Sequence, residues 1–440
     1  RLHTLGLSRS DLMNPETNMT SLNTNIQSSL SGLPTQTVQY TGTDVDDLNQ
    51  FLQNNTGKVV QLTQDIQVYK NTNGSFGIIM VPSDTILDGN GHSLVMKAGY
   101  TEVPDVGVVL YVYKDGVIPS TNCGVKNLST DIPYVNSINV FSADNILIEN
   151  NTLNNATKSG IMISDEYGST VNGIIRGNTI NNVGDDAIAV YGNHSNLLID
   201  SNRISGAKGF AGIAISCLQN GQQIRVDNET TGPHDIIVTG NVISGCSGEA
   251  LYCIGSYKTY ITYNTLRDSI LEGVCLDSGC IGNYFAHNEV VNNGIAGGLP
   301  GVSIDNGIYN IVDSNNIYNN SCSGIKLVRT GLGNIIVNNI CTDNAYNQMG
   351  AKSSGIDIEP LAVETENLGY IDGLGSNWNV VLNNTVTGSH DFGVFIADDD
   401  TANNGGSSCE NVIMYNKFSS AYTFGAADFS SMSSTVKNNI

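Results

Sequence analysis

Acidic residues recur at matching places in a set of short, similar segments, and they are the first sign of chemistry in this sequence. Asp277 ends the segment GVCLD and Asp305 ends GVSID, while Glu249 and Glu272 stand just before the small residues that open ALYCI and GVCLD. If these segments are strands in successive turns of a stack, the carboxylates of each pair lie about 4.8 Å apart. Carboxylates at that distance repel unless a proton, a cation or a substrate separates them. A separation of about 5 Å is typical of retaining glycosidases, in which one acid is the nucleophile and the other donates a proton.

Polar and aromatic residues at neighbouring positions complete the candidate site. Tyrosine offers an apolar face to a sugar ring, and charged side chains can bind its polar groups. The residues predicted to contact a substrate are Tyr252, Lys326, Arg329, Asp357 and Glu359. The alternative is that these are solvated acids in register by chance, because the chain has 41 acidic residues.

A repeating unit explains how the segments would stack. From about residue 145 a strand is followed by an Asn, a variable residue, an apolar residue, a polar corner and a second strand that opens with a small residue. Most of the Asn residues are 22 to 27 residues apart, at Asn151, Asn178, Asn202, Asn241, Asn264, Asn288, Asn315, Asn338, Asn384 and Asn416. Stacked Asn side chains can satisfy one another and the backbone at a bend. The sequence therefore predicts an all-β parallel solenoid with one turn per repeat.

The second strand of each unit alternates apolar residues with other residues, as in GIMIS, AIAVY and GVSID. This alternation places two side chains in the core and two on the outer face. Residues 218–234 and 360–377 are insertions between units, and a solenoid carries such insertions as loops, often near a binding face.

Two amphipathic segments precede the solenoid, which is assigned to residues 57–440. Residues 43–56 are predicted to form a helix with Thr43 as N-cap, and its apolar side, Val45, Leu48, Phe51 and Leu52, would close the N-terminal end of the solenoid. Within residues 1–42, apolar residues step by three or four from Met19 to Leu33. This pattern fits either a short stalk, and with it a homotrimer, or a helix lying on the solenoid.

Composition limits the partners. The formal net charge of −22 argues against nucleic acid as a partner, and no apolar run reaches the length of about 18 residues that a membrane span needs. Nine cysteines, an odd number without CxxC spacing, argue against a disulfide framework and against a zinc site. Reduced, buried thiols are expected, which favours folding in a cytosol.

The stretch VPSDTILDGNGHSLV at residues 81–95, followed by the repeats, resembles the right-handed parallel β-helix superfamily of pectate lyases, polygalacturonases and phage tailspikes. The resemblance extends from about residue 57 to the end and implies a right-handed helix, in agreement with the rule for parallel crossovers. It does not imply one reaction, because this superfamily includes lyases, hydrolases, epimerases and adhesins.

The segment GDDAIAV at residues 184–190 looks like the paired-aspartate motif of polygalacturonases. The other parts of that family's pattern are missing: the preceding unit has SDEYG, and the stretch after the motif has GNHSN. Asp185 and Asp186 are therefore interpreted as a turn feature. The calcium and arginine set of pectate lyases is not present either.

Three functions remain, in this order. The first is a phage tailspike or tail appendage that binds and cleaves a bacterial surface polysaccharide or teichoic acid-like polymer, located on the virion tail. The second is a secreted microbial polysaccharide hydrolase or lyase, and the third is a non-enzymatic adhesin. No cofactor is predicted, although the run from Asp398 to Asp400 fits either a calcium site or an exposed acidic loop. Trp378 fits either core packing or sugar stacking.

Overall fold

A computed structural model describes residues 7–70, 77–110, 112–113, 117–118, 120–219, 222–223, 232–329, 331–347, 354–360, 375–388, 390–399, 406–419 and 424–440. In this part of the chain, three parallel sheets of 15, 13 and 13 strands run side by side along the molecule. The 15-stranded sheet is named A and the other two B and C; from Val59 on, the strands of the solenoid belong to A, B and C in turn, and the strands Thr37–Tyr40 and Thr435–Lys437 at the two ends add one further strand each to sheet A. The predicted all-β parallel solenoid is confirmed.

The strands of the three sheets are short and follow one another at the spacing of the repeat. Sheet A consists of Thr37–Tyr40, Val59–Leu62, Ile86–Asp88, Thr121–Lys126, Asp144–Glu149, Val171–Arg176, Ser195–Asp200, His234–Thr239, Tyr257–Thr262, Tyr284–Ala286, Ile311–Asp313, Ile335–Val337, Val380–Leu382, Val412–Met414 and Thr435–Lys437. Sheet B consists of Ile66–Val68, Ser93–Met96, Ser129–Thr130, Thr152–Asn154, Thr179–Asn181, Arg203–Ser205, Val242–Ser244, Thr265–Arg267, Glu289–Val291, Asn316–Tyr318, Ile340–Thr342, Thr385–Thr387 and Lys417–Phe418. Sheet C consists of Ile79–Met80, Val106–Leu110, Asn136–Phe141, Ser159–Ser164, Ile188–Tyr191, Ile213–Ser216, Leu251–Ile254, Val274–Asp277, Val302–Asp305, Ile325–Val328, Ser354–Ile358, Phe392–Ile396 and Phe424–Asp428. Two small antiparallel hairpins pair Val112–Tyr113 with Val117–Ile118 and Leu218–Gln219 with Gln222–Gln223.

Asparagine side chains line all three inner corners of the solenoid. The longest ladder, between sheets A and B, follows the predicted positions except at one turn, where the buried residue is Asn339 and not Asn338. Asn338 is exposed with φ 58°, a left-handed conformation that Asn adopts more readily than most residues. The sequence did not predict the two shorter ladders, which run Asn283, Asn310, Asn334, Asn379 and Asn411 between sheets C and A, and Asn293, Asn320 and Asn344 between sheets B and C.

Helix α2, Val45–Asn54, closes the N-terminal end of the solenoid as predicted. Its residues Val45, Leu48 and Leu52 are fully buried in the main core. The predicted N-cap, Thr43, is wrong by one residue. Asp44 holds that position because its carboxylate accepts hydrogen bonds from the backbone N–H groups of Asp46 and Asp47.

Helix α1, Pro15–Ser29, lies on the outer face of sheet A and does not stand free as a stalk. Leu22 and Ile26 are buried against a patch of outward apolar side chains that includes Ile174, Leu198 and Ile237. The apolar residues of α1 are buried by this patch of the same chain, so a second copy of the chain is not required to bury them. The helix-on-solenoid alternative is therefore the correct one.

All nine cysteines are buried and none forms a disulfide. Burial raises the pKa of most of these thiols, among them that of Cys123 to about 12, and a protonated thiol is a poor nucleophile. We expect titration with a thiol reagent to find nearly nine free thiols after denaturation and few in the folded protein. Four disulfides in the denatured protein would contradict this prediction.

The two predicted insertions fall mostly outside the described residues, which omit 220–221, 224–231 and 361–374. No described helix is long and apolar enough to cross a membrane.

Candidate active site on the outer face of sheet C

The strands of sheet C place the predicted acids on its outer face. Val274 and Leu276 point into the core, as do Val302 and Ile304 one turn later. The strands Val274–Asp277 and Val302–Asp305 pair in parallel with Asp277 opposite Asp305. The predicted alignment of the two aspartates on adjacent turns is confirmed.

Asp277 is half-buried and accepts two hydrogen bonds from hydroxyl groups. Tyr252 Oη donates to its Oδ2 at 2.6 Å, and Ser278 Oγ donates to its Oδ1 at 2.8 Å. Each of its two oxygens therefore has a hydroxyl donor. Tyr252 reaches Asp277 from the previous turn, where it lies two residues before Ile254, the residue opposite Asp277, so the contact is a diagonal one between neighbouring turns.

Asp305 has a different environment, although it occupies the same position in the next turn. Burial, followed by the charge of Asp277, raises the pKa of Asp305 to about 8, and Arg329 opposes this shift. Arg329 Nη1 lies 3.1 Å from Asp305 Oδ2. Among the described residues Asp305 Oδ1 has no hydrogen-bond partner. Asp277 and Asp305 therefore lie on adjacent turns in two different environments.

Glu249 and Glu272 form a second carboxyl pair beside the first. Only 6% and 9% of these residues is exposed, and the two side chains share a hydrogen bond. Burial raises the pKa of Glu249 to about 7 and that of Glu272 to about 8, with the charge of the partner as the next cause for Glu272. Such a pair binds at least one proton at neutral pH.

Three of the predicted substrate contacts bind one another. Lys326 Nζ lies 3.1 Å from Glu359 Oε2. Asp357 is fully buried, because it is stacked between Lys326 and Phe395 of the neighbouring turns. Burial, and then Glu359, raise its pKa well above the usual range. The prediction that Asp357 contacts a substrate directly was therefore wrong. Asp357 lies under Lys326, on the next turn of sheet C.

A groove continues along the same face toward the N-terminus. Its volume is about 980 Å³, and its walls include Phe141, Tyr167, Tyr191, Lys158 and Asp185. These residues come from three successive strands of sheet C, Asn136–Phe141, Ser159–Ser164 and Ile188–Tyr191, and from the segments that flank them. The outer face of sheet C thus has space for an extended ligand.

Asp186 also belongs to this surface, and its interpretation as a turn feature was incomplete. It lies in the same column of sheet C as Glu249, two turns away, and Tyr191 Oη donates a hydrogen bond to it. Burial raises the pKa of Asp186 to about 6. The signal was in the sequence, because Asp186 precedes the small residue that opens AIAVY, as Glu249 does in ALYCI.

Two remaining candidates lie elsewhere. The core-packing interpretation of Trp378 is wrong, because the residue is 54% exposed. In the run from Asp398 to Asp400, the last residue lies outside the described part, and Asp399 accepts a hydrogen bond from the N–H of Ser431 at 2.9 Å. The described residues contain no group of three or more His, Cys, Asp or Glu arranged to hold a metal ion.

The raised pKa values give the fold a dependence on pH. Because Glu249 and Glu272 have raised pKa values, they hold more protons in the folded chain than in the unfolded chain between about pH 4.5 and about pH 8, and the free energy of unfolding should fall as the pH rises through this range. We expect the double variant Glu249→Gln/Glu272→Gln to show a smaller fall, since Gln has no proton to lose. Urea denaturation at several pH values measures it. Asp200→Asn, on sheet A, is the control, and an unchanged slope in the double variant would contradict the assignment.

Comparisons with known proteins agree on the fold. The family model described as "Right handed beta helix region" matches residues 113–231. No curated protein matches the chain. Among solved structures, the Azotobacter vinelandii mannuronan C-5 epimerase AlgE4 A-module matches with a TM-score of 0.50 at 13% identity, over 90% of this chain and 100% of that one.

Two further structures are similar at lower scores. PfbA, a surface adhesin of Streptococcus pneumoniae, has a TM-score of 0.45 at 10% identity over 91% of this chain and 93% of its own. Tailspike protein 3 of bacteriophage CBA120 has a TM-score of 0.46 at 10% identity over 90% of this chain and 62% of its own. The chain is a right-handed parallel β-helix, the fold of the family model and of the epimerase module.

Proposed function

We propose that this chain binds and hydrolyses a polysaccharide of the bacterial cell surface, as a tailspike or tail appendage of a phage does. The observation that carries the proposal is the pair of carboxyl groups on adjacent turns: Asp277 has a hydroxyl donor on each oxygen, and burial raises the pKa of Asp305 to about 8. Two carboxyl groups about 5 Å apart in opposite protonation states are what a retaining glycosidase requires.

The roles follow from the contacts of each residue. Asp305 donates its proton to the glycosidic oxygen, which leaves with the bond's electron pair, while Asp277 attacks the anomeric carbon. Water then cleaves the glycosyl–Asp277 ester, and Asp305 takes the proton of that water. Tyr252 and Ser278 orient Asp277 through the hydrogen bonds of 2.6 and 2.8 Å. Arg329 holds Asp305 and keeps it in place during the proton transfer.

The thiols support synthesis in a reducing cell, which fits a phage protein made in its host better than an exported enzyme. Nine buried cysteines without a disulfide are unusual in a chain that passes through an oxidising compartment. A virion tail is therefore the proposed location, and a secreted microbial hydrolase or lyase is the second candidate.

The homotrimer stays a prediction, but the stalk that the sequence suggested no longer supports it. Because the apolar side of α1 packs on sheet A, this helix does not supply the stalk from which the homotrimer was predicted. Light scattering of the full chain at several concentrations measures the oligomeric state, and a monomer throughout would rule the homotrimer out.

The test of function is incubation with purified cell-wall polymers while new reducing ends and the absorbance of unsaturated uronates are followed together. Hydrolysis predicts reducing ends without that absorbance. An increase in the absorbance of unsaturated uronates would show that cleavage occurs by elimination and not by hydrolysis. Binding without reducing ends and without that absorbance would favour the adhesin. Asp305→Asn should abolish most of the cleavage and retain binding.

A further inference from the structure

The carboxyl groups on the outer face of sheet C are short of cations. Within the described part of the chain, Asp186, Glu249 and Glu272 make no ion pair with a lysine, arginine or histidine, and neither does Asp277. Toward the C-terminus the next cations on this face, Lys326 and Arg329, lie within ion-pair distance of Glu359 and Asp305. Toward the N-terminus, Lys158 lies beside Asp185 in the groove. A ligand over Glu249, Glu272 and Asp277 therefore meets acids that make no ion pair among the described residues.

One of these acids has an open position for a donor. Glu249 is 6% exposed, and its Oε2 has no hydrogen-bond partner among the described residues. A buried carboxyl oxygen without a donor costs free energy, and the cost is higher for the ionised form. Its neighbours are Glu272, Asp277 and Asp186, all of them acids. A positively charged donor would satisfy Glu249 and reduce the repulsion among the others at the same time.

The surface around the acids suits a sugar that carries such a donor. Tyr252 packs edge-on against Phe210 with ring centroids 5.2 Å apart, next to Asp277. Farther along the groove, Phe141 and Tyr167 pack with centroids 5.5 Å apart. Aromatic rings bind the apolar faces of sugars and attract ammonium groups. A uronate polymer would bring more negative charge to this face, where no described metal-binding group could offset it.

We propose that the outer face of sheet C recognises a glycan whose units carry ammonium groups, such as non-acetylated hexosamines. This inference rests on the proposed function, since it names the substrate class of the same site. The ammonium groups bind to Glu249, Glu272 and Asp277, and the binding of a cation releases protons from the carboxyl groups that held them.

Three hexasaccharides that differ in charge test the proposal by calorimetry with the full chain. We expect the glucosamine hexamer to bind at least about tenfold more tightly than either the N-acetylglucosamine hexamer or the galacturonate hexamer. Its affinity should fall with added salt, and titrations in two buffers of different ionisation enthalpy should show proton release. Glu272→Gln should weaken the glucosamine hexamer by about fivefold or more, whereas the sheet A variant Asp200→Asn should leave its affinity unchanged.

Several results would overturn the proposal: no binding of the glucosamine hexamer, equal binding of its acetylated form, tighter binding of the galacturonate, or proton uptake. They would leave the proposed function intact if a neutral or acidic polymer is cleaved and the cleavage needs Asp277. Conversely, charge-selective binding without cleavage of any polymer would support the recognition of ammonium groups and remove the hydrolase.

Discussion

Replacing Asp277 by Asn is expected to lower the turnover of the cleaved polymer by at least about a hundredfold, the lower range for the loss of an acid or base in catalysis. Asn keeps the size of the side chain, and its one oxygen can still accept one of the two hydrogen bonds that Tyr252 and Ser278 donate to Asp277. It cannot attack an anomeric carbon as a carboxylate does. Initial rates of reducing-end formation on the polymer identified by the panel give the turnover.

Asp200→Asn is the matched control for this variant. Asp200 ends a strand of sheet A and accepts a hydrogen bond from the hydroxyl of the following Ser201 at 2.7 Å, as Asp277 does from Ser278 at 2.8 Å on sheet C. The two positions share residue type, strand end and hydroxyl partner, and differ in the face of the solenoid. Full activity of Asp277→Asn, or an equal loss in both variants, would remove Asp277 from the mechanism.

The same substitution should not destabilise the fold. The charge of Asp277 is one of the causes that raise the pKa values of Glu249, Glu272 and Asp305, so the ionised carboxylate repels its neighbours. Removing the charge relieves this repulsion, and the free energy of unfolding should stay the same or rise. A loss of activity without a loss of stability separates a catalytic role from a structural one.

Much of the fold could be predicted because the solenoid repeats its own signal. The alternation in GVCLD and GVSID fixes which residues enter the core, and the common opening glycine fixes the register of Asp277 opposite Asp305. Because the same pattern recurs in each turn, the prediction of the fold does not depend on any single turn. The pattern could not decide whether Asn338 or Asn339 enters the ladder, because both residues are Asn.

The contacts within the site could not be predicted, because they depend on side chains that cross between turns. Nothing in the sequence shows that Tyr252 donates to Asp277, or that Asp357 lies buried beneath Lys326. Asp277 and Asp305 have the same sequence context, yet one is bonded by two hydroxyl groups and the other by Arg329. The position of α1 also depends on long-range packing, because its apolar stripe is compatible both with a stalk and with a helix that lies on the solenoid.

Replacing Asn315 by Ala is expected to lower the free energy of unfolding by at least about 3 kcal/mol, since several buried groups lose their partners at once. Asn315 Nδ2 donates to Phe285 O and to Asn339 Oδ1, both at 2.9 Å, and its Oδ1 accepts from the backbone N–H of Asn288 at 2.9 Å and from Asn288 Nδ2 at 3.1 Å. Ala offers none of these, and the corner is too buried for water to replace them easily.

The neighbouring residue provides the control for the ladder. Asn316 is exposed on the strand Asn316–Tyr318, and Asn316→Ala should change the free energy of unfolding by less than about 0.5 kcal/mol. Because a solenoid can unfold in parts, urea denaturation should be joined by hydrogen exchange of the Asn288 amide, which bonds Asn315 directly. We expect that amide to exchange faster in Asn315→Ala and unchanged in Asn316→Ala. If the two variants have equal free energies of unfolding, the Asn ladder does not stabilise the fold. The hydrogen bonds and core of the sheets would then be sufficient to fix the corners.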